Sequence, residues 1–236
     1  ILVKYMPVVF LPYFFIKKQF KLVAGVLLFI LLFSILPAFY VGVEQEINYL
    51  KGWLPFISDA ALDLSSWVDY KNQSIYSMVL RYTMDLSAYV YSYSHTFLNL
   101  SFYQGLGIAL VFSFVIYLLI LVPSKNAGDQ SLIDYAMLLL CMALFNPNAW
   151  MTNFVVFFHV YIFLIHYVMK SPRKEAFTIA AMVTAFALSS WASESVVGND
   201  LENLFEELSL VTIAALVLIA ALLRLKFRRL SSPAPG

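Results

Sequence analysis

Residues 22–43 read LVAGVLLFILLFSILPAFYVGV, a stretch without a single charge. A membrane-spanning helix needs about 20 predominantly apolar residues, so this segment reads as a complete span. Six more apolar runs follow the same pattern, at roughly 1–16, 106–122, 132–145, 150–169, 176–192 and 208–223. The runs at 1–16 and 132–145 are short and fit incomplete, tilted or broken spans. The whole chain supports this reading, because only 12% of its residues are charged. A soluble domain carries about a quarter, so the soluble class is excluded. The expected fold is all-α: a polytopic membrane protein of about seven transmembrane helices, forming one membrane domain over 1–236.

Charge fixes the expected topology. Eleven of the fifteen basic residues follow alternate runs: Lys17, Lys18 and Lys21; Lys125; Lys170, Arg173 and Lys174; and Arg224, Lys226, Arg228 and Arg229. Eleven of the fourteen acids fall instead in 44–105 and 193–207, leaving Asp129, Asp134 and Glu175 on the basic side. Short cytoplasmic loops are rich in Lys and Arg, so the basic side is read as cytoplasmic. The carboxy terminus then lies inside and the long loop 44–105 lies outside, as in a bacterial-type inner or plasma membrane. Trp53, Trp67, Trp150 and Trp191 all fall on the outer side, where an interfacial aromatic belt sits. The basic tail reads as a topology signal that touches anionic lipid, and the final SSPAPG as a flexible end. The sequence opens inside an apolar run at Ile1, which predicts further chain upstream.

The loop 44–105 is too aromatic for a disordered linker. Ile47, Leu50, Leu54 and Ile57 recur at helical spacing, interrupted by Gly52 and Pro55, and so do Ile75, Met78, Val79 and Tyr82. Helices of this kind lie in the interface plane. The polar stripe of the second carries Ser74, Ser77, Arg81 and Asp85, and Asn72 or Ser74 is placed to cap it.

Chemical motifs of soluble enzymes are missing. There is no glycine-rich phosphate loop, paired-Cys spacing, HExxH or GxSxG, so no cofactor, metal or nucleic-acid partner is expected. The acids of 193–207 are scattered and read as a short solvated amphipathic helix. Cys141 lies in an apolar run and has no partner for an intrachain disulfide. His159 and His166, seven apart, share a face of one run; each fits either a functional intramembrane group or a neutral histidine bonded to a neighbouring helix.

Three segments resemble the carboxy-terminal part of glycosyltransferase family 87, the polyprenol-phosphate-mannose-dependent mannosyltransferases of the GT-C superfamily. VKYMPVVFLPYFFIKKQFKLVAG at 3–25 resembles the family's lysine–proline span and basic turn, with Lys4 and Pro7 in the matching places. KNQSIYSMVLRY at 71–82 resembles an NQS motif opening an outer helix, with Arg81 two turns on. LFNPNAWMTNFVVFF at 144–158 resembles a proline–tryptophan turn entering a late span. It departs in one respect: Thr152 and Asn153 stand where relatives commonly carry histidines.

The resemblance implies an integral membrane glycosyltransferase that moves a mannose-like sugar from a polyprenyl-phosphate donor to an extracytoplasmic glycan or lipid acceptor. Its base, an aspartate on the first outer loop, would precede Ile1. A phosphate at the outer interface needs cations at that depth, and the outer side offers Lys4, Lys51, Lys71 and Arg81. The expectation is that Lys4 and Arg81 hold the donor phosphate, with Asn72, Gln73, Ser74, Trp150 and Asn153 shaping the substrate pocket. Plainer roles stand beside these: an Arg81–Asp85 surface pair, a snorkelling Lys4, an Asn72 helix cap, and an interfacial Trp150. Asn72-Gln73-Ser74 and Asn99-Leu100-Ser101 also read as glycosylation sequons. A transporter or flippase for a lipid-linked sugar, or a non-catalytic membrane scaffold, is the alternative; the lack of an internal repeat disfavours transport.

Overall fold

The computed structural model describes residues 6–62, 64–86, 97–122, 127–170, 175–191 and 193–231. The described residues form helices and turns, with no strand. Among the described residues, four helical segments are long and apolar enough to cross a membrane: Phe20–Val41, Phe102–Leu121, Met151–Lys170 and Leu210–Phe227. Three apolar helices are shorter: Pro7–Ile16, Leu132–Leu144 and Ala176–Trp191. The chain forms two compact units, Ile1–Ser66 and Trp67–Gly236.

In the first unit, a 3-10 turn leads into α1 (Phe10–Ile16), followed by α2 (Phe20–Ile35), α3 (Ala38–Val41), α4 (Val43–Leu62) and the start of α5 (Leu64–Val68). Lys18 closes α1 in the left-handed region at φ 59°. Its N–H reaches the Phe15 carbonyl and that of Gln19 reaches Phe14, the paired bonds of a helix-ending motif in which glycine is the usual occupant. Pro37 ends α2, and Gly42 at φ 89° ends α3. No residue of α2 or α3 is buried within the chain, as expected of a span whose surroundings are lipid or other helices. The interruption expected at Gly52 and Pro55 does not end α4, which runs through both positions.

The second unit continues with α6 (Ile75–Thr83), α7 (Phe102–Leu121), α8 (Ala127–Leu144), a 3-10 turn (Met151–Val155) leading into α9 (Val156–Lys170), α10 (Ala176–Trp191), α11 (Glu194–Val197), α12 (Asn199–Glu207) and α13 (Leu210–Ser231). At its centre is α13, packed against α8 and α10. It buries Ala214, Ala215, Leu218, Ile219, Ala221 and Leu222, while α10 buries Thr178, Ala181 and Ala185. Small residues let apolar helices approach closely where no water-driven force holds them together. The crossing of α6 and α7 is equally tight: a Cβ on Gly105 would stand 2.9 Å from both Leu80 Cδ2 and Thr83 Oγ1.

Lys226 departs from the expected lipid-facing tail. It is fully buried, paired with Asp134 of α8 at 2.8 Å, and also donates to the Ile120 carbonyl of α7. Asp134 lies within an apolar run, and a buried carboxylate requires a partner. Arg224 instead stacks over the Phe177 ring at 4.5 Å. Trp67 is half-buried, its ring 5.6 Å from Tyr76 and 6.0 Å from Phe102.

Candidate functional site

The segment 69–74 is a tight loop leading into α6. The Asp69 carboxylate accepts the Lys71 N–H at 2.8 Å, and the Asp69 carbonyl accepts the Asn72 N–H at 3.0 Å. Ser74 caps α6 by accepting the Ser77 N–H. Asn72 does more than support that cap. Its Oδ1 accepts from Ser74 N–H and from Ala149 N–H, and its Nδ2 donates to the Pro147 carbonyl at 2.7 Å. A further bond joins Gln73 N–H to the Ala149 carbonyl at 2.7 Å. The loop before α6 and the Asn146–Trp150 turn, 75 residues apart in sequence, are therefore one structure.

A third segment joins them at the break between α12 and α13. Gln73 Nε2 donates to the carbonyls of Tyr70 and Glu206, and the Gln73 carbonyl accepts from Thr212 Oγ1 at 2.6 Å. Tyr82 donates to the Leu208 carbonyl. Ser209, at φ 57°, turns the chain into α13 and accepts from Arg81 Nη2 at 2.6 Å. Asn72, Gln73, Ser74, Ser77, Arg81, Ser209 and Thr212 are all buried, so this is a polar cluster inside the protein. It lies where the segments Phe102–Leu121, Met151–Lys170 and Leu210–Phe227 begin.

Arg81 is the centre of the cluster. Its Nη1 donates to the carbonyls of Asp69 (2.8 Å), Tyr70 (3.3 Å) and Asn72 (3.0 Å) and to Ser77 Oγ (2.8 Å). The guanidinium fork expected to meet a lipid phosphate is thus closed on protein acceptors, with both terminal nitrogens bonded inside the protein. Burial lowers the Arg81 pKa from 12.5 to about 10, which leaves it charged at neutral pH. Among the described residues, Arg81 Nε and Gln73 Oε1 are buried without a hydrogen-bond partner.

The family model described as glycosyltransferase family 87 matches residues 1–147. The chain belongs to glycosyltransferase family 87. As a family 87 protein it is a membrane glycosyltransferase, consistent with its apolar helices. The match takes in the loop before α6, all of α6, and Pro147, whose carbonyl Asn72 holds. No curated protein and no solved structure matches the chain.

The family 87 residues anticipated from the sequence fall in different places. Asn72, Gln73, Ser74 and Arg81 come together in the buried cluster. Trp150 follows the turn that Asn72 grips and is 46% exposed, as an interfacial anchor would be. Asn153 donates its N–H to the Trp150 carbonyl, beside a cleft of about 270 Å³ lined by Met151, Thr152, Phe154, Ser189 and Val211. Lys4 lies outside the described residues, as does His95. His159 and His166 lie on exposed faces of α9. Asn72 is too enclosed to serve as a sequon acceptor, whereas Asn99 is exposed.

Residues 206–212 escaped the sequence reading because Ser209 and Thr212 look like ordinary polar residues at the head of a span. Glu206 is the most perturbed acid of this region. Burial, then the nearby Glu202, pushes its pKa up to about 7 despite Lys71. Around the loop's outer edge, Lys71 is exposed, its ammonium 5.7 Å from the Tyr70 ring centre.

Proposed function

We propose that this family 87 protein transfers a mannose-like sugar from a polyprenyl phosphate to a glycan or lipid acceptor at the extracytoplasmic face of a bacterial-type membrane. In this reading the seven apolar helices all enter the membrane, the basic connections and the carboxy terminus face the cytoplasm, and both units belong to one membrane domain. The observation that carries the proposal is the union of the loop before α6 with the Pro147–Ala149 turn in a buried polar cluster at the heads of three apolar segments. A lipid-linked donor presents its phosphate at that depth, with its polyprenyl chain among the helices.

The chemistry needs three things at such a site. A carboxylate takes the proton from the acceptor hydroxyl as its oxygen bonds to the sugar's anomeric carbon. The bond from that carbon to the phosphate oxygen breaks, and polyprenyl phosphate leaves with the electron pair. Cations and fixed donors stabilise the charge gathering on the leaving phosphate. Lys4 and the cluster built by Asn72, Gln73, Ser74 and Arg81 serve the donor end, and the Trp150–Asn153 turn with its adjoining cleft serves the acceptor end.

The test supplies the full-length protein in membranes with labelled polyprenyl-phosphate mannose. A labelled glycosylated product, lost when Asn72→Ala breaks the grip on the Pro147–Ala149 turn, is expected. Labelled lipid that crosses the bilayer without any product would favour a flippase and refute the transferase reading.

A further inference from the structure

The loop wrapped around Arg81 assigns different work to its two cations. Of the carbonyls of 69 to 72, those of Asp69, Tyr70 and Asn72 accept from Arg81 Nη1, so the backbone on either side of Lys71 is turned toward the guanidinium. The Asp69 carboxylate accepts the Lys71 N–H at 2.8 Å and pins the backbone there. With its neighbours drawn inward, the Lys71 side chain is directed out: Lys71 is exposed while Asn72, Gln73 and Ser74 are buried. Arginine in this setting is a scaffold and lysine is the cation that a ligand can reach.

We infer that Lys71 is the residue that contacts the phosphate of the lipid-linked donor, and that Arg81 is its positioning residue, acting through the backbone of 69–72. This rests on the donor class proposed above. Buried Arg81 lies beneath the loop and offsets Asp69, and burial with the nearby Glu202 pushes the pKa of Glu206 up to about 7, which weakens its pull on Lys71. The ring of Tyr70 beside the ammonium adds an apolar platform of the kind that the face of a sugar packs against. α6 crosses α7 at Gly105, within one turn of the start of the Phe102–Leu121 segment, so the helix that this loop opens meets the head of an apolar segment. A lysine contacts phosphate as a point charge and tolerates the varied approach of a flexible lipid headgroup.

The experiment uses the full-length protein in membranes or nanodiscs, with polyprenyl phosphate lacking a sugar as the binding probe and the sugar-loaded lipid as substrate. Lys71→Gln is expected to weaken polyprenyl phosphate binding about tenfold or more, the scale of one hydrogen bond to a charged group. The donor KM should rise and kcat should fall, because the same ammonium faces the charge that gathers on the leaving phosphate, while the melting temperature stays near wild type; Lys71→Arg should restore binding. The role of Arg81 is read by amine-specific labelling of Lys71. Polyprenyl phosphate should protect Lys71 in the wild type, and Arg81→Lys should lose that protection at a temperature where it is still folded. Unchanged binding by Lys71→Gln would overturn the assignment of the phosphate contact. Unchanged protection in Arg81→Lys would overturn the positioning role. Lys71-dependent binding in a protein that transfers no sugar would leave this site standing and remove the transferase reading instead.

Discussion

Glu206 shows how much a single residue's surroundings decide. Its carboxyl is buried at the end of α12, next to Glu202 and Asp69, and its pKa rises from 4.5 to about 7. The folded protein therefore keeps a proton that the unfolded chain releases. Stability from this group is fully present below about pH 4.5 and is lost as pH rises to about 7, above which the curve flattens. Thermal unfolding followed across that window should show a falling melting temperature in the wild type and a shallower fall in Glu206→Gln. Equal slopes would mean that Glu206 is solvated. At this scale the sequence was partly legible. Asn72, Gln73, Ser74 and Arg81 could be singled out, because a polar stripe on an amphipathic helix with a capping serine is visible in the residue order. What Arg81 bonds to was not visible, since three of its acceptors are backbone carbonyls and one is Ser209, 128 positions away.

Among the elements, the crossing of α6 and α7 is the most sharply constrained. Gly105 lets the two helices meet where an added methyl would sit 2.9 Å from Leu80 and Thr83. Gly105→Ala gains helix propensity on α7 but must push α6 away. Overpacking of this kind costs typically 1–3 kcal/mol, so a melting temperature several degrees lower is expected, with loss of donor binding because α6 carries the cluster. Gly107→Ala is the control, because nothing lies within 4 Å of the added carbon. Elements were read well where apolar length decided them, as for Phe20–Val41 and Leu210–Phe227. They were read less well where a proline sat inside a helix, since α4 runs through Pro55. The central place of α13 could have been suspected from its paired alanines, Ala214–Ala215 and Ala220–Ala221, but the partner of each face is set by tertiary packing.

For the molecule as a whole, the second unit is tied at two levels. The polar cluster joins α6, the Asn146–Trp150 turn and the head of α13, and the Asp134–Lys226 pair joins α8 to α13 further along the chain, with Ile120 of α7. Removing one member of a buried pair leaves an uncompensated charge and costs about 3–5 kcal/mol. Lys226→Met alone should therefore unfold at a clearly lower temperature, and adding Asp134→Leu should recover most of the loss. If the double variant is no better than the single, the ion pair is not what holds these helices. The family could be anticipated because its motifs are local in sequence, and the match over 1–147 agrees. The closure of the cluster by residues 206–212 could not, because it depends on contacts across more than 120 positions.

The most direct measurement is an experimental structure of the full-length protein with a polyprenyl-phosphate sugar bound in a bilayer mimic. The account predicts the phosphate within hydrogen-bond distance of Lys71, with Arg81 still closed on the carbonyls of Asp69, Tyr70 and Asn72. A donor seated away from the loop before α6, or an Arg81 swung out of its cage to meet the phosphate, would contradict it.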